Sequence, residues 1–493
     1  MPRSQSPSFV LTLKLNTSDR TTQVLDKRFL YGQQIYNCLV RHVRKQLAGL
    51  YADKTYQKLL SAYQELKGSS FDIKKKRALY GKQMSDIRLA YGLSEYALHK
   101  YVAVKQHRYR KHIDSMTAQK TASSVWKAVE KVLFGNGNAV HFRRHDDFNS
   151  MEGKTNTSGI RYVKGRLEWN GLEICIRHRK DAYETEALRH RVKYCRIIRR
   201  PVGTKNHYYL QLVLEGIPPV KHSCGTGRTG IDIGPSTAAV YAEDGYAKLD
   251  VLAREADTME RKKRVLQRKL DRSRRACNPG NYHPDGTVKK RCRWKQSGRY
   301  KRVSFQYRAL CRKRAATVRQ SHERLANEVL SHGTEVYVEQ MSFAGLAKKS
   351  GVDRKRRDGR PARKKRFGHS IGSRSPSMFL SIIDRKLHYE GRALIFVNTQ
   401  SFKASQYDHM NDSYQPSSLN RRYKVLDGKR IQRDLYSAFL LMNSNDTCDH
   451  ADRQRCFNTY DRFLDAHDRC IRKLKTDTTY KYPSSMGLKY FAL

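Results

Sequence analysis

Thr229-Gly230-Ile231-Asp232-Ile233-Gly234-Pro235-Ser236 sets one acid inside an apolar run flanked by glycines. The run has the make-up of a buried strand that presents a single carboxylate at its end. A charge in such surroundings is costly unless it is paired or binds a cation. Asp232 is therefore either a strand-end residue that closes a turn or a metal-binding carboxylate. The stretch alone does not separate the two.

The order of elements around Asp232 is the next constraint. Strand-like segments cover 229–234, 237–241 and 246–251, the last two joined by the turn Glu243-Asp244-Gly245. A long, basic helical stretch follows over about 254–331, interrupted by a loop from Asn278-Pro279-Gly280 to Asp285-Gly286. Then come strand Glu335-Val336-Tyr337-Val338-Glu339, a helix near 376–390, a strand from Ala393 to Asn398 and a helix opening at about Asp434. Three antiparallel strands, then helix, strand, helix, strand, helix is the layout of an RNase H-like domain. The long helices would be an insertion between its third and fourth strands.

Upstream, Phe9, Leu11, Leu13 and Leu15 alternate with other residues, as in a strand. Residues from about 20 to 133 carry helical spacing, with Leu25, Phe29, Tyr36, Val40, Val43 and Leu47 on one face. Short strand-like segments recur at Val140–Phe142, Ile160–Tyr162, Leu172–Ile174, Val192–Ile198 and Tyr208–Leu214. They predict a small β-barrel or sheet that the Phe9 strand joins, with the helical block inserted into it. The amphipathic stretch Phe457 to Leu474 predicts a packed C-terminal helix, and the tail from Asp477 reads as poorly ordered.

Three carboxylates now fall where one site could use them. Asp232 ends the first strand of the later domain, Glu339 ends its fourth, and Asp434 opens its last helix. Adjacent strand ends bring distant acids to one edge, where like charges repel unless cations bridge them. Carboxylate oxygens suit Mg²⁺ or Mn²⁺ rather than zinc. Two such ions would suit phosphodiester cleavage. Taken singly, Glu339 could be an exposed strand-end acid and Asp434 a first-turn residue favoured by the helix dipole; their coincidence with Asp232 favours a metal site.

Charge names the partner. Lys and Arg number 99 against 46 Asp and Glu, a formal net charge of +53, and self-repulsion on that scale calls for a polyanion. Thirty Tyr and sixteen Phe lie among the cations and suit base stacking as well as a core. Basic runs at Lys74-Lys75-Lys76-Arg77 and across Arg108, Arg110 and Lys111 are candidate phosphate contacts. The polar start, Met1-Pro2-Arg3-Ser4, gives no signal for export, and no stretch approaches membrane-spanning length. Ten Cys without a Cys-x-x-Cys pair favour a reducing interior. The expected location is the cytoplasm of a prokaryotic cell, with no membrane partner.

Gly230-Ile231-Asp232-Ile233-Gly234, Val336-Tyr337-Val338-Glu339 and Gln432-Arg433-Asp434-Leu435 together resemble the three RuvC motifs of the transposon-encoded TnpB (OrfB) family, which is related to the type V CRISPR effectors. Phe142 to Gly159 and Val192 to Ile197 look like that family's wedge domain, and Asn278-Pro279-Gly280-Asn281-Tyr282 looks like a loop some members carry. The resemblance implies an RNA-guided DNA endonuclease. Such a protein binds a structured guide RNA, reads a short motif beside a double-stranded DNA target and cuts at the RuvC site. The implied organisation is multidomain α+β. A β-barrel wedge domain (1–18 and 134–222) holds an inserted helical recognition domain (19–133). A RuvC nuclease domain (223–398 and 426–447) is interrupted by helices at 254–331. A target-binding segment covers 399–425, and a C-terminal helix and tail cover 448–493.

The chain departs from the family pattern between Asn398 and Asp434. A four-Cys zinc ribbon is usual there, but Ala404-Ser405-Gln406-Tyr407 is followed by Asp408 and Asn411 where thiols would stand. Structural zinc is not expected. Cys448, His450 and Cys456 are too irregularly spaced to replace it. Nucleic-acid contact could persist through Lys403, Gln406, Arg421, Arg422 and Lys424, and through Arg430 and Arg433 beside the third acid. Arg354–Arg357 and Arg363–Arg366 could form a basic lid after Glu339. Three rivals remain: a nuclease-inactive RNA-guided repressor, an ATP-binding protein of the actin or sugar-kinase type whose phosphate loop also reads Gly-x-Asp-x-Gly, and a DNA-joining transposase on the same fold.

Overall fold

The alternation near the N-terminus becomes strand β1 (Ser8–Leu15) in a computed structural model, which describes residues 6–491 apart from 69, 221, 349–366, 417 and 419. Phe9, Leu11, Leu13 and Leu15 are buried and their neighbours are not, the two-residue period of a strand. Helices α1 (Asp19–Ala52), α2 (Lys54–Glu65), α3 (Phe71–Ala90), α4 (Glu95–Gln106) and α5 (Ser115–Leu133) follow. Ser18, Asp53, Ser70, Ser94 and Asp114 start them in turn, each side chain accepting a first-turn amide that has no partner within its helix. The apolar stripe of α1, from Leu25 to Leu47, is buried as its spacing predicts.

The chain then returns to sheet in β2 (Ser150–Glu152), β3 (Arg161–Val163), β4 (Arg166–Trp169) and β5 (Leu172–Arg177). Helix α6 (Ala182–Ala187) leads into the long hairpin of β6 (Val192–Val202) and β7 (Lys205–Glu215). These strands and β1 form an antiparallel sheet in the order β2-β6-β7-β1-β5-β4-β3. The first strand is thus central, paired on both sides, and α1–α5 are inserted behind it. One expectation fails: Val140–Phe142 forms no strand. The backbone of the residue that follows is held by a side chain of α1 instead. The amide and carbonyl of Arg143 bond Asn37 at 2.9 Å each, and the Phe142 ring faces Arg44 at 5.4 Å.

The chain divides into two compact units, Met1–Pro219 and Val220–Leu493. The second opens with β8 (Arg228–Ile233), β9 (Thr237–Ala242) and β10 (Ala247–Val251). Two long helices, α7 (Glu260–Cys277) and α8 (Gly298–His332), precede β11 (Glu335–Glu339). Next come α9 (Phe343–Ala347), α10 (Gly368–Arg374), α11 (Pro376–Tyr389), β12 (Ile395–Val397) and α12 (Thr399–Phe402). Two small hairpins follow, β13 (Tyr407–Asp408) with β14 (Ser413–Tyr414) and β15 (Tyr423–Leu426) with β16 (Lys429–Gln432). The unit closes with α13 (Arg433–Met442) and α14 (Arg453–Thr476).

Its main sheet runs β10-β9-β8-β11-β12, antiparallel from β10 to β8 and parallel from β8 to β12. Alternate residues face opposite layers. Ile231, Ile233, Val336 and Val338 pack with Ala326, Val329 and Leu330 of α8 and with Phe379 and Ile383 of α11. Tyr241, Leu249, Tyr337 and Val397 pack with α13 and α14. The tail beyond Asp477 is also packed, contrary to the reading of its polar sequence. Met486 is fully buried, Tyr480 donates its hydroxyl to Asp257 at 2.8 Å, and the Asp477 carboxylate meets Arg254 and Tyr482. No helix among the described residues is long and apolar enough to cross a membrane.

Candidate functional site

Strand parity decides where the three acids point. Gly230 and Asp232 lie on the α13 face of β8, because Ile231 and Ile233 occupy the other. Glu339 shares its face with Tyr337, which packs in the α13 layer. Parallel pairing places Val338 opposite Ile231, so the next step of the ladder brings Glu339 beside Asp232. Asp434 is the second residue of α13, which lies directly over β8. All three acids therefore meet at one edge, where two parallel strands end and one helix begins.

Gly230 makes the close approach possible. A Cβ there would run into the Ala438 carbonyl and the Met442 amide of α13. The need is steric, a helix backbone pressed on a strand backbone.

The electrostatics follow from that crowding. Burial pushes the Asp232 carboxyl well above the usual carboxylate range, and the charges of Asp434 and Glu339 add to the effect. Arg433 and the Ser437 hydroxyl oppose it. Burial also raises Glu339, against a hydrogen bond from the Ala404 amide. Asp434 is held on both oxygens. Arg433 Nε and Nη2 donate to Oδ1 at 3.2 and 3.0 Å, and Gln432 Nε2 donates to Oδ2 at 3.3 Å. Gln432 also caps α13, its Oε1 accepting the Leu435 amide at 2.7 Å.

Oxygen-only donors with an excess of negative charge fit a hard divalent cation in kind. As the side chains stand, no three His, Cys, Asp or Glu groups among the described residues converge to hold one ion. Asp434 instead faces the Arg433 guanidinium. A separate cleft of about 440 Å³ lies at the other end of the same strands, lined by Arg228, Glu335, Tyr337, Asn443 and Arg455. It is remote from the acids along β8 and β11, and none of the three lines it.

Residues 399–432 approach the acids from the chain between β12 and α13. Lys403 is exposed with a positive φ of 44°, and the following residue gives its amide to Glu339. Gln406 is half-buried and its carbonyl accepts the Gln415 amide at 2.9 Å. Where a thiol would stand, the Asp408 carboxylate gathers the Met410 amide at 2.9 Å and Asn411 Nδ2 at 3.0 Å. Hydrogen bonds and packed rings hold this turn. Tyr407 meets the His450 ring at 4.6 Å and Tyr414 at 5.1 Å. Cys456 is buried in the apolar core.

The predicted cations divide by environment. Arg108, Arg110 and Lys111 are exposed in the first unit. In the second, Arg421 and Arg430 are exposed, and Arg430 lies over the Tyr423 ring at 5.2 Å. Arg422 is half-buried, its guanidinium depressed first by burial and then by Arg433. Lys424 donates to the Tyr407 carbonyl at 2.6 Å, and burial lowers its amine to about 8, which makes it a strut of the segment. Arg433 is committed to Asp434 and to the Arg421 carbonyl at 3.1 Å. The basic runs 354–357 and 363–366 lie outside the described residues.

No protein-family model matches the chain, and no curated protein matches it. Among solved structures, a Cas12f1–sgRNA–target DNA complex aligns over 88% of this chain and 98% of its own, at a TM-score of 0.44 and 11% identity. A CRISPR–Cas12f ternary complex aligns over 88% of this chain and 99% of its own, at a TM-score of 0.23 and 13% identity.

Several contacts at the acids were invisible in the sequence. Gln432 and Arg433 adjoin Asp434, but nothing in their order says that both turn back upon it. The amide of Ala404 reaches Glu339 across 65 residues of chain, with no local signal. Helix α7 did carry a signal that spacing reveals: Arg261, Arg264, Arg268, Arg272 and Arg275 recur every three or four residues, and all five are exposed.

Proposed function

We propose that this protein is an RNA-guided, Mg²⁺- or Mn²⁺-dependent DNA endonuclease with its cleavage site at Asp232, Glu339 and Asp434. The observation that carries the reading is the meeting of three acids at one sheet edge, with Asp232 raised by burial and by both other carboxylates. The sheet order, with α13 laid over the first strand, supports an RNase H-like, RuvC-type domain. The motif order that resembles the TnpB family supports guidance by RNA, as does a net charge of +53.

The three carboxylates would hold the cations. Bound there, a divalent ion supplies positive charge to a phosphodiester and lowers the pKa of water beside it. The chain's own part is positioning. Strand ends fix Asp232 and Glu339, the Ala404 amide orients Glu339, and Gln432 fixes both the start of α13 and Asp434. The first unit, with its sheet and inserted helices, would hold the guide and read the motif beside the target. Pairing with the guide supplies sequence specificity, and the protein reads shape and phosphates.

The test is cleavage by protein purified with its RNA, after sequencing that RNA to define the guide. In Mg²⁺, Asp232→Ala is expected to abolish cutting of a matched duplex while retaining the RNA. Undiminished cutting by that variant sinks the reading.

A further inference from the structure

Arg433 and Asp434 are consecutive residues at the start of a helix, where neighbours in sequence point in different directions. Even so, the Arg433 side chain folds back so that two of its nitrogens reach Asp434 Oδ1. The pair is well covered, with 11% of the Arg433 side chain and 15% of the Asp434 side chain exposed. The third nitrogen, Nη1, donates to the Arg421 carbonyl, and the Arg433 amide donates to the Arg422 carbonyl at 3.2 Å. The guanidinium thus joins an acid of the candidate site to the loop that precedes β15. It is also the cation acting on Asp232.

This arrangement creates a competition. A divalent ion shared by the three carboxylates and the Arg433 guanidinium both seek the Asp434 carboxylate. They repel one another, so tight occupancy by one requires the other to withdraw. Arg433 has an alternative partner if a nucleic-acid strand lies along this edge. Its planar fork matches a phosphate as well as a carboxylate. Arg422 is half-buried beside it, so a phosphate there would meet a second cation.

Resting on the nuclease reading above, we propose that Arg433 is a displaceable counter-cation that closes the acid site in the strand-free protein. A bound strand draws Arg433 onto a phosphate and releases Asp434 for the ion. Ion binding and strand binding are then coupled, and by reciprocity each strengthens the other. The ion affinity of the free protein is low by construction, which keeps the site idle until a strand is in place.

The experiment measures Mn²⁺ binding by electron paramagnetic resonance on the full chain stripped of nucleic acid, so that cleavage is not the readout. Without a strand, Arg433→Ala is expected to bind Mn²⁺ at least about tenfold more tightly than wild type, as loss of a charge-assisted pair allows. Adding a single-stranded DNA oligonucleotide, corrected for its own Mn²⁺ binding, should tighten wild type by a similar factor and leave Arg433→Ala unchanged. Arg433→Gln guards against misfolding, since it removes the charge and keeps a donor for the Arg421 carbonyl; it should behave as Arg433→Ala does. Equal Mn²⁺ affinity in wild type and both variants overturns the counter-cation role and leaves the nuclease reading standing. Unchanged Mn²⁺ binding in Asp232→Ala overturns the nuclease reading itself. No Mn²⁺ binding by any form, with or without the oligonucleotide, overturns both.

Discussion

His409 has no exposed surface and lies among the rings of Tyr436, Phe439, Phe457 and Tyr460. Its Nδ1 and the Tyr436 hydroxyl share a hydrogen bond of 2.7 Å. Burial lowers the imidazole from 6.5 to about 4. The unfolded chain therefore binds the extra proton first as pH falls. The stability this residue contributes is full above about 6.5 and is lost on acidification toward 4, with a ceiling of about 3 kcal/mol. His409→Phe should flatten that limb: between pH 7 and 4.5 its melting temperature should fall less than that of wild type. Parallel curves would show that His409 does not titrate on unfolding. The same scale explains what could be read at the acids. Asp232 and Glu339 were legible because a carboxylate closing an apolar run stands out, and Asp434 because it opens a helix whose later residues are mostly apolar. The roles of Arg433, Gln432 and Ala404 depend on side-chain direction and chain return, which local pattern does not encode. Asp408 was legible only as a missing thiol; its work in gathering the Met410 amide and the Asn411 side chain depends on how the turn folds back.

Helix α13 is the element on which the site depends. Residues 435–442 are buried without exception, so it is an interior helix wedged between sheet and α14 rather than an amphipathic cover. Its fit on β8 relies on the bare backbone of Gly230, where an added Cβ would overlap α13 backbone atoms that cannot rotate away. Gly230→Ala should therefore lift α13, lowering stability by about 1–3 kcal/mol and, on the proposed nuclease function, reducing cleavage although all three acids remain. Thermal melting and a cleavage assay would check both effects, and an unchanged melt would refute the overlap. Elements of this unit were readable because strands announce themselves by apolar runs and turns, and α13 by the apolar run Ala438 to Met442. The failures have a common cause. Val140–Phe142 has the alternation of a strand, but the chain is turned onto α1, where Asn37 takes both backbone groups of the next residue, Arg143. The tail after Asp477 looks polar, yet Asp257 and Arg254, more than two hundred residues earlier, receive it.

For the whole molecule, the +53 charge predicts binding dominated by released counterions, so a bare affinity would say little without the salt concentration. Helix α7 lets that general statement be assigned to residues. Its arginine stripe extends along a helix roughly 27 Å in length, 18 residues at about 1.5 Å each, enough to follow a strand over several phosphates. Arg275 is partly engaged, by Asp271 at 3.0 Å and by the Tyr282 ring at 4.6 Å. Arg264, Arg268 and Arg272 are the exposed middle of the stripe. If each meets one duplex phosphate, replacing all three by Ala should lower the slope of log affinity against log salt by about 2–3, at close to 0.9 per phosphate. Fluorescence anisotropy with a labelled duplex across a salt series measures this directly. The expected loss is largest at low salt and shrinks as salt rises, because the deleted contacts are the salt-sensitive ones. An effect through folding would behave otherwise, weakening binding by a constant factor at every salt concentration. An unchanged slope would remove α7 from the nucleic-acid surface, whatever its charge.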